Sequence, residues 1–335
     1  MDALELVRLN LLSPMVLAFA LGIVATLVRS DLRVPDALYA ALSIYLLFAI
    51  GLKGGVALAA TPPSQLWLPA LATLAAGSLI PLWTYALARR VGRWSVADAA
   101  ALAAHYGSVS VVTFVAAQAF LDRAGVPYEG FMATLVALLE VPAILVALVI
   151  ARRAMRATAL PGSDAGAGAG EGMGAVLREV LAGRSIVLLV GGLLIGAATG
   201  AQGAERVAPF FEAPFEGALT IFLLEMGLVT ARRLGELRRA GAFLLGFGLA
   251  APLVHGVLGA ALGILVGLSP GGATVFAAML ASASYIAATA AVRLALPEAN
   301  PGRYLTASLA VTFPFNLVVG IPLFARVAQA LAGGA

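Results

Sequence analysis

The sequence predicts an all-α, polytopic membrane protein with ten transmembrane helices, arranged as two inverted repeats of five helices that contain broken helices. The first observation is composition: 61% of the 335 residues are hydrophobic, 11% are charged, and the mean hydropathy is +1.00. Soluble domains carry about 25% charged residues. The other two observations are residues that recur about 174 positions apart and a Ser-x-Ser motif that interrupts two apolar stretches.

Apolar stretches account for the ten helices, since one span needs about 20 residues. In the first repeat, residues 1–153, the predicted spans are Leu11–Val28, Pro35–Lys53, Leu66–Leu87, Val96–Phe120 and Phe131–Ile150. In the second repeat, residues 184–335, they are Ser185–Gly200, Glu216–Val229, Ala240–Leu268, Ala273–Leu296 and Tyr304–Leu331. Residues 154–183 contain an Ala-Gly tract that is typical of a flexible linker, and they end in a short predicted helix, Met173–Leu181.

Each of the five spans in the first set contains a short match to a span of the second set. The matches are Gly22 with Gly196, Ala41–Leu47 with Ala218–Leu224, Pro81 with Pro252, Ser108 with Ser282, Ser110 with Ser284, and Pro142 with Pro314. All of these pairs are separated by nearly the same number of residues. Because five spans is an odd number, the second copy must enter the membrane from the opposite side, which makes the repeat inverted.

The basic residues predict the orientation in the membrane. With ten spans, 16 of the 21 Lys and Arg residues fall on one side and five on the other. The side rich in Arg is expected to be cytoplasmic. We therefore expect a bacterial inner-membrane protein with a cytoplasmic Ala/Gly-rich linker at 154–183 and with both termini on the periplasmic or extracellular side.

The Ser-x-Ser breaks predict a transport site. Non-helical backbone at membrane depth is tolerated where it lines a cavity, and paired breaks in two halves point to a transporter's binding site. Helix N-termini and hydroxyls offer partial positive charge without a guanidinium group, which suits a small monovalent oxyanion. The candidate substrate-binding residues are Gly107, Ser108, Ser110, Ser282, Ser284 and Tyr285. A coupling Na⁺ would need oxygen ligands, and the candidates are Ser110, Thr113, Glu140 and Asn316.

Other interpretations remain open at this point. Ser and Thr in membrane helices also bond the preceding turn or hold helices together, and Glu140 could bond backbone groups that Pro142 leaves free. An anion channel would use the same dipoles and hydroxyls. An enzyme is not expected, because the chain has no Cys, no His-Glu-x-x-His and no Gly-x-Ser-x-Gly motif. No nucleic-acid partner is expected, since the Arg residues lie at span ends.

Five short stretches carry a resemblance to a known family. They are Ile50–Gly55, Gly107–Ser110, Val126–Glu129, Val254–Gly256 and Pro297–Pro301, and they resemble the sodium-dependent bicarbonate transporter family, whose best-known members are cyanobacterial. The resemblance implies a core domain with the broken helices, a separate gate domain, elevator-type alternating access and a homotrimer. It also implies Na⁺-coupled bicarbonate symport, with no other cofactor, and a PII-like regulatory protein at the cytoplasmic face.

The second break departs from the family pattern. Where cyanobacterial members read Ser-Ser-Ser-Asp, this chain reads Ser282-Ala283-Ser284-Tyr285, and Thr289 and Ala290 stand where prolines follow. A phenol thus replaces a carboxylate. The alternative function is therefore transport of another small monovalent anion or monocarboxylate, coupled to Na⁺ or H⁺.

Overall fold

The computed structural model describes residue 8, residues 10–158 and residues 171–333. Within these residues the secondary structure is helical, without strands. The helices are α1 (Pro14–Leu27), α2 (Asp36–Ala60), α3 (Pro63–Arg90), α4 (Val96–Gly107), α5 (Val111–Ala124), α6 (Met132–Glu140), α7 (Pro142–Thr158), α8 (Glu171–Leu181), α9 (Arg184–Phe211), α10 (Phe215–Leu265), α11 (Pro270–Ala281), α12 (Ala287–Ala295) and α13 (Pro301–Gly333). The last of these includes two π-helical segments, Thr306–Thr312 and Asn316–Gly320.

Seven stretches of the described residues are long and apolar enough to cross a membrane. They are Asp36–Ala60, Pro63–Arg90, Val96–Ala124, Met132–Met155, Arg184–Phe211, Gly241–Leu265 and Pro301–Gly333. Two further apolar helices, α1 and α11, are shorter. The chain is therefore a multi-pass membrane protein, and the arrangement of ten spans in an inverted repeat stays a prediction.

Two glycines with positive φ divide long helices. Gly200 (φ 60°) interrupts α9, and Gly241 (φ 79°) interrupts α10. A side chain at this backbone conformation is strained, which is why glycine occupies both positions. These two breaks coincide with predicted span boundaries: the span Ser185–Gly200 ends at the first break, and the span Ala240–Leu268 begins at the second. The predicted helix Met173–Leu181 is present as α8, whereas the Ala-Gly tract of the linker lies outside the described residues.

Glycines hold four helices close together in two pairs. A Cβ atom at Gly55 of α2 would lie 2.1 Å from the Leu193 carbonyl oxygen of α9. Likewise, a Cβ atom at Gly196 of α9 would lie 2.1 Å from the Leu52 carbonyl oxygen of α2. In the same way, a Cβ at Gly22 of α1 would meet the Leu224 carbonyl oxygen of α10 at 2.2 Å. Small residues permit such close approach of membrane helices. We call α1, α2, α9 and residues 215–240 the paired group.

The remaining long helices pack around α4 and α11, which we call the interrupted helices because each ends at a Ser-x-Ser break. Helix α4 packs between α3 and α7, and α11 packs against α5, α13 and the second part of α10. We call α3–α5, α7, Gly241–Leu265 and α11–α13 the break group. Its centre is closely packed: Phe114, Phe276 and Met279 are fully buried.

Candidate functional site

The two interrupted helices correspond residue for residue. Helix α4 (Val96–Gly107) and helix α11 (Pro270–Ala281) each have 12 residues, and both ends are offset by 174 positions. Each helix ends at an extended serine, Ser108 (ψ 169°) or Ser282 (ψ 167°). The same offset was predicted from the Ser-x-Ser motifs. The backbone thus leaves the helix at the same point in both halves.

The far end of each interrupted helix is fixed by a carboxylate. At the start of α11, the N–H of Ser269 donates to Glu129 Oε1 (2.6 Å) and its hydroxyl donates to Oε2 (3.2 Å). At the start of α4, Asp98 accepts a hydrogen bond from the N–H of Asn300 (2.7 Å) and forms an ion pair with Arg303 (2.6 Å). Carboxylates at helix N-termini are favourable, because they satisfy free amides and oppose the helix dipole. Each helix is therefore anchored by a residue from the other half of the chain.

The near ends of the interrupted helices meet and satisfy each other's backbone. The N–H of Ser110 donates to Ser282 Oγ (2.8 Å), and the N–H of Ser284 donates to the His105 carbonyl oxygen (2.8 Å). The Ser282 hydroxyl in turn donates to the Met279 carbonyl oxygen (2.7 Å). Unpaired backbone groups are costly away from water, so these cross-links make two helix breaks compatible with a buried location.

A small cavity lies beside this crossing. Its volume is about 40 Å³. One water needs roughly 10–15 Å³ on this measure, so the cavity has room for a molecule of a few heavy atoms. The break group and the paired group both contribute to its wall, which is lined by Ser43, Leu46, Leu47, Ile50, Val109, Ser110, Val111, Val112, Val115, Glu140, Ser185, Leu219, Phe222, Ser284, Tyr285, Ile286 and Ala287.

The wall is suited to a small anion. Helices α5 and α12 both begin on it, at Val111 and Ala287, so the positive ends of two helix dipoles border the space. No Lys or Arg belongs to the wall as the structure describes it. Two buried polar atoms of the wall, Glu140 Oε2 and the Tyr285 hydroxyl, have no hydrogen-bond partner among the described residues. Buried polar groups are almost always paired, so unpaired ones on a cavity wall point to a ligand.

A comparison with protein families identifies the chain. The model of the Na⁺-dependent bicarbonate transporter superfamily matches residues 14–329, nearly the whole sequence. The protein belongs to this superfamily. It is therefore a member of a transporter family, which agrees with the expectation that it is not an enzyme. A search among curated proteins gave no match.

In this superfamily member, three of the six predicted substrate residues line the cavity and the other three lie outside its wall. Ser110, Ser284 and Tyr285 belong to the wall. The Ser108 hydroxyl donates to the Glu140 carbonyl oxygen (3.1 Å), and Ser282 joins the two breaks as described above. Gly107 faces away from the cavity: a Cβ there would meet Pro81 Cγ at 2.5 Å and Ala143 Cβ at 2.7 Å.

The predicted cation ligands divide in a similar way. Ser110 and Glu140 line the cavity. The backbone N–H of Thr113 donates to Ser110 Oγ (3.3 Å) in the first turn of α5. The Asn316 amide donates to the Ala281 carbonyl oxygen (2.8 Å), so it holds the last residue of α11, while its own buried oxygen has no partner among the described residues.

Sequence reasoning missed the residues that the paired group contributes. Ser43 and Ser185 line the cavity opposite the breaks, and neither was predicted. Ser43 lies in the repeated stretch Ala41–Leu47, where its counterpart is Thr220, and this matched hydroxyl was the one available signal. Ser185 carried no signal, because a serine at a predicted span end is unremarkable in composition.

Proposed function

We propose that this superfamily member is a Na⁺-coupled bicarbonate symporter of the bacterial inner membrane that works by elevator-type alternating access. The observation that carries the proposal is the meeting of two matched helix breaks at one small cavity, whose mostly apolar wall carries the polar side chains of Ser110, Glu140 and Ser284. Inverted-repeat transporters bind substrate and coupling ions at such discontinuous helices. Family membership independently supports Na⁺ and bicarbonate as the transported pair.

The cavity wall supports an oxyanion as substrate. Bicarbonate has four heavy atoms, which is the size that the cavity volume allows. Its oxygens would accept hydrogen bonds from Ser110, Ser284 and Tyr285 and from amides at the starts of α5 and α12. These donors carry partial charges, so they suit one negative charge better than two.

The Glu140 side chain supports coupling to a cation. A carboxylate that shares a cavity with an anion would repel it, and a cation bound between the two removes that repulsion. Na⁺ takes oxygen ligands, which Glu140 and Ser110 supply directly. Thr113 and Asn316 belong to the same proposed ion site because they fix Ser110 and the end of α11. Na⁺ is the only cofactor that the proposal requires.

Alternating access is proposed from the way that the cavity lies between the two helix groups. The break group would be the moving core domain, and the paired group would be the gate domain. The inverted repeat is supported by the equal offsets of α4 and α11. It is also supported by the glycine contacts: α1 packs on α10, and α9, which corresponds to α1 in the second repeat, packs on α2.

The proposal also includes a homotrimer, a cytoplasmic location for the linker at 154–183, and a PII-like partner at the cytoplasmic face.

The decisive experiment is uptake of radiolabelled bicarbonate into proteoliposomes with an inward Na⁺ gradient, compared with K⁺ in its place. We expect uptake above the equilibrium level with Na⁺ alone. Equal uptake with K⁺ would contradict Na⁺ coupling, and a current without concentrative uptake would indicate a channel.

A second candidate function follows from Tyr285, whose buried phenol lines the cavity where cyanobacterial members carry a carboxylate. The alternative is transport of another small monovalent anion or monocarboxylate with Na⁺ or H⁺. Competition by formate, acetate or nitrate for bicarbonate uptake distinguishes the two: strong inhibition by one of them favours the alternative.

A further inference from the structure

A second, larger cavity adjoins the candidate site. Its volume is about 210 Å³, and Ile50 and Val115 belong to the walls of both cavities. Helix α2 continues from one to the other, since Lys53 of the larger cavity lies three residues after Ile50 and therefore on the same helix face. We call the larger cavity the vestibule. The vestibule therefore lies next to the candidate site, and Ile50 and Val115 form part of both walls.

Two other helices also contribute to the walls of both cavities. Helix α5 runs from Val115 to Asp122 of the vestibule, and α10 runs from Leu219 of the site back to Glu216 of the vestibule. The vestibule also includes Tyr128 and Glu212, so it opens beside the turns that follow α5 and α9. By the distribution of Lys and Arg, this end of the molecule is predicted to face away from the cytoplasm.

The vestibule wall carries more acidic than basic side chains. Asp122, Glu212 and Glu216 are acidic, and Lys53 is the one cation among the described residues of the wall. Lys53 is exposed, and it takes part in none of the ion pairs that the described residues form. An unpaired ammonium group among three carboxylates is free to attract an anion. Its removal would leave a wall whose only charged side chains are acidic, in which Arg123 from outside the wall interacts with Asp122 and Glu216 but Glu212 has no such neighbour in the described part of the wall.

We propose that Lys53 admits the anion: its ammonium group offsets the vestibule carboxylates and holds bicarbonate transiently, one helical turn before the candidate site. This inference rests on the proposed function, since it assumes that an anion is transported. A solvent-exposed ammonium binds a monovalent anion weakly, so its effect lies in local concentration and capture rate. The Michaelis constant for the anion should therefore depend on the charge at position 53, whereas the maximal rate should not.

The absence of cysteine in the chain makes a direct charge test possible. In cells that express Lys53→Cys, the one thiol is modified from outside with a membrane-impermeant cationic or anionic methanethiosulfonate. We expect Lys53→Cys and Lys53→Gln to raise KM for bicarbonate about three- to tenfold. The cationic adduct should restore KM to near the wild-type value, the anionic adduct should raise it further, and Lys53→Arg should change it little.

Arg206→Cys provides the matched control. Arg206 is exposed on α9, near Val207 of the vestibule, but it does not belong to the vestibule wall. A KM that is independent of the charge at position 53 would overturn the proposal, as would the same shifts at position 206. Labelling of position 53 only in permeabilised cells would also overturn it.

Wild-type uptake separates this inference from the proposed function. If the wild type transports a different small anion, bicarbonate is the wrong substrate, and the charge dependence at position 53 is measured with that anion instead. A wild type without any ion-driven anion uptake would contradict both proposals.

Discussion

Ser284 contributes to the candidate site through two separable groups. Its backbone N–H holds the His105 carbonyl oxygen across the two breaks, while its hydroxyl lines the cavity and accepts a hydrogen bond from the N–H of Ala288 (3.3 Å). Replacement by Ala removes only the hydroxyl, so the chain should still fold, at a cost of about 1 kcal/mol for the lost hydrogen bond.

We predict that Ser284→Ala lowers kcat/KM for Na⁺-driven bicarbonate uptake ten- to hundredfold. A hydrogen bond to a charged group contributes about 1.5–3 kcal/mol, and about 1.4 kcal/mol corresponds to a factor of ten. Ser78→Ala is the control, since the Ser78 hydroxyl is exposed and donates to the Leu74 carbonyl of its own helix (2.8 Å). Uptake by folded Ser284→Ala protein at the wild-type rate would remove Ser284 from the site.

The sequence indicated where the polar residues of the site are, but not what each one contacts. Ser-x-Ser in mid-span is conspicuous because hydroxyls are rare there, and its repetition marked both breaks. The partner of Ser108 is the Glu140 carbonyl, 32 residues away, and Gly107 lies against Pro81. Such contacts depend on how helices pack, and no local pattern encodes them.

At the scale of helices, the contact between α2 and α9 offers a test with an internal control. A Cβ at Gly55 would lie 2.1 Å from the Leu193 carbonyl oxygen, so Gly55→Ala must push two backbones apart. Overpacking of this kind costs about 1–3 kcal/mol. We predict a lower melting temperature for Gly55→Ala in detergent, measured by intrinsic fluorescence.

Gly191→Ala should have the opposite effect and raise the melting temperature. Gly191 lies in the same helix α9, and a Cβ there meets nothing within 4 Å. Replacing an unhindered helical glycine with alanine stabilises a protein by about 0.4–1 kcal/mol. A melting temperature that falls equally in both variants would mean that the close contact at Gly55 contributes nothing specific.

Helix ends outside the apolar stretches were the least predictable elements. The sequence predicted a span that ends at Val229, whereas the helix continues through Arg232, Arg233 and Glu236 to the break at Gly241. Hydropathy detects only the part of a helix that can lie in lipid, so a helix that continues with charged residues is missed. The predicted span Val96–Phe120 was broken at Ser108, as the Ser-x-Ser motif indicated.

At the scale of the whole molecule, the membrane class and the family followed from the sequence, whereas the way in which the halves interlock did not. Glu129 of the first half anchors α11, and Arg303 of the second half pairs with Asp98 of α4. The glycine contacts likewise join α1 to α10 and α2 to α9. The units that pack together therefore differ from the two repeats, 1–153 and 184–335, that the sequence alignment suggests.

Relative movement of these units is the property that separates an elevator from a rigid pore. Leu47 of the paired group and Ala287 of the break group face the same cavity. We predict that a short, thiol-cleavable cross-linker between Leu47→Cys and Ala287→Cys abolishes Na⁺-driven uptake, and that reduction restores it, because an elevator must move one group past the other.

The matched control is a cross-link within the break group. Trp83 and His255 are in direct contact, with Trp83 Nε1 donating to His255 Nε2 at 2.9 Å, and both belong to helices of that group. The same reagent between Trp83→Cys and His255→Cys should leave uptake largely intact, since the two positions would move together. Uptake that persists with Leu47 and Ala287 cross-linked would exclude a sliding core. Loss of uptake with both pairs would place the essential movement inside the break group.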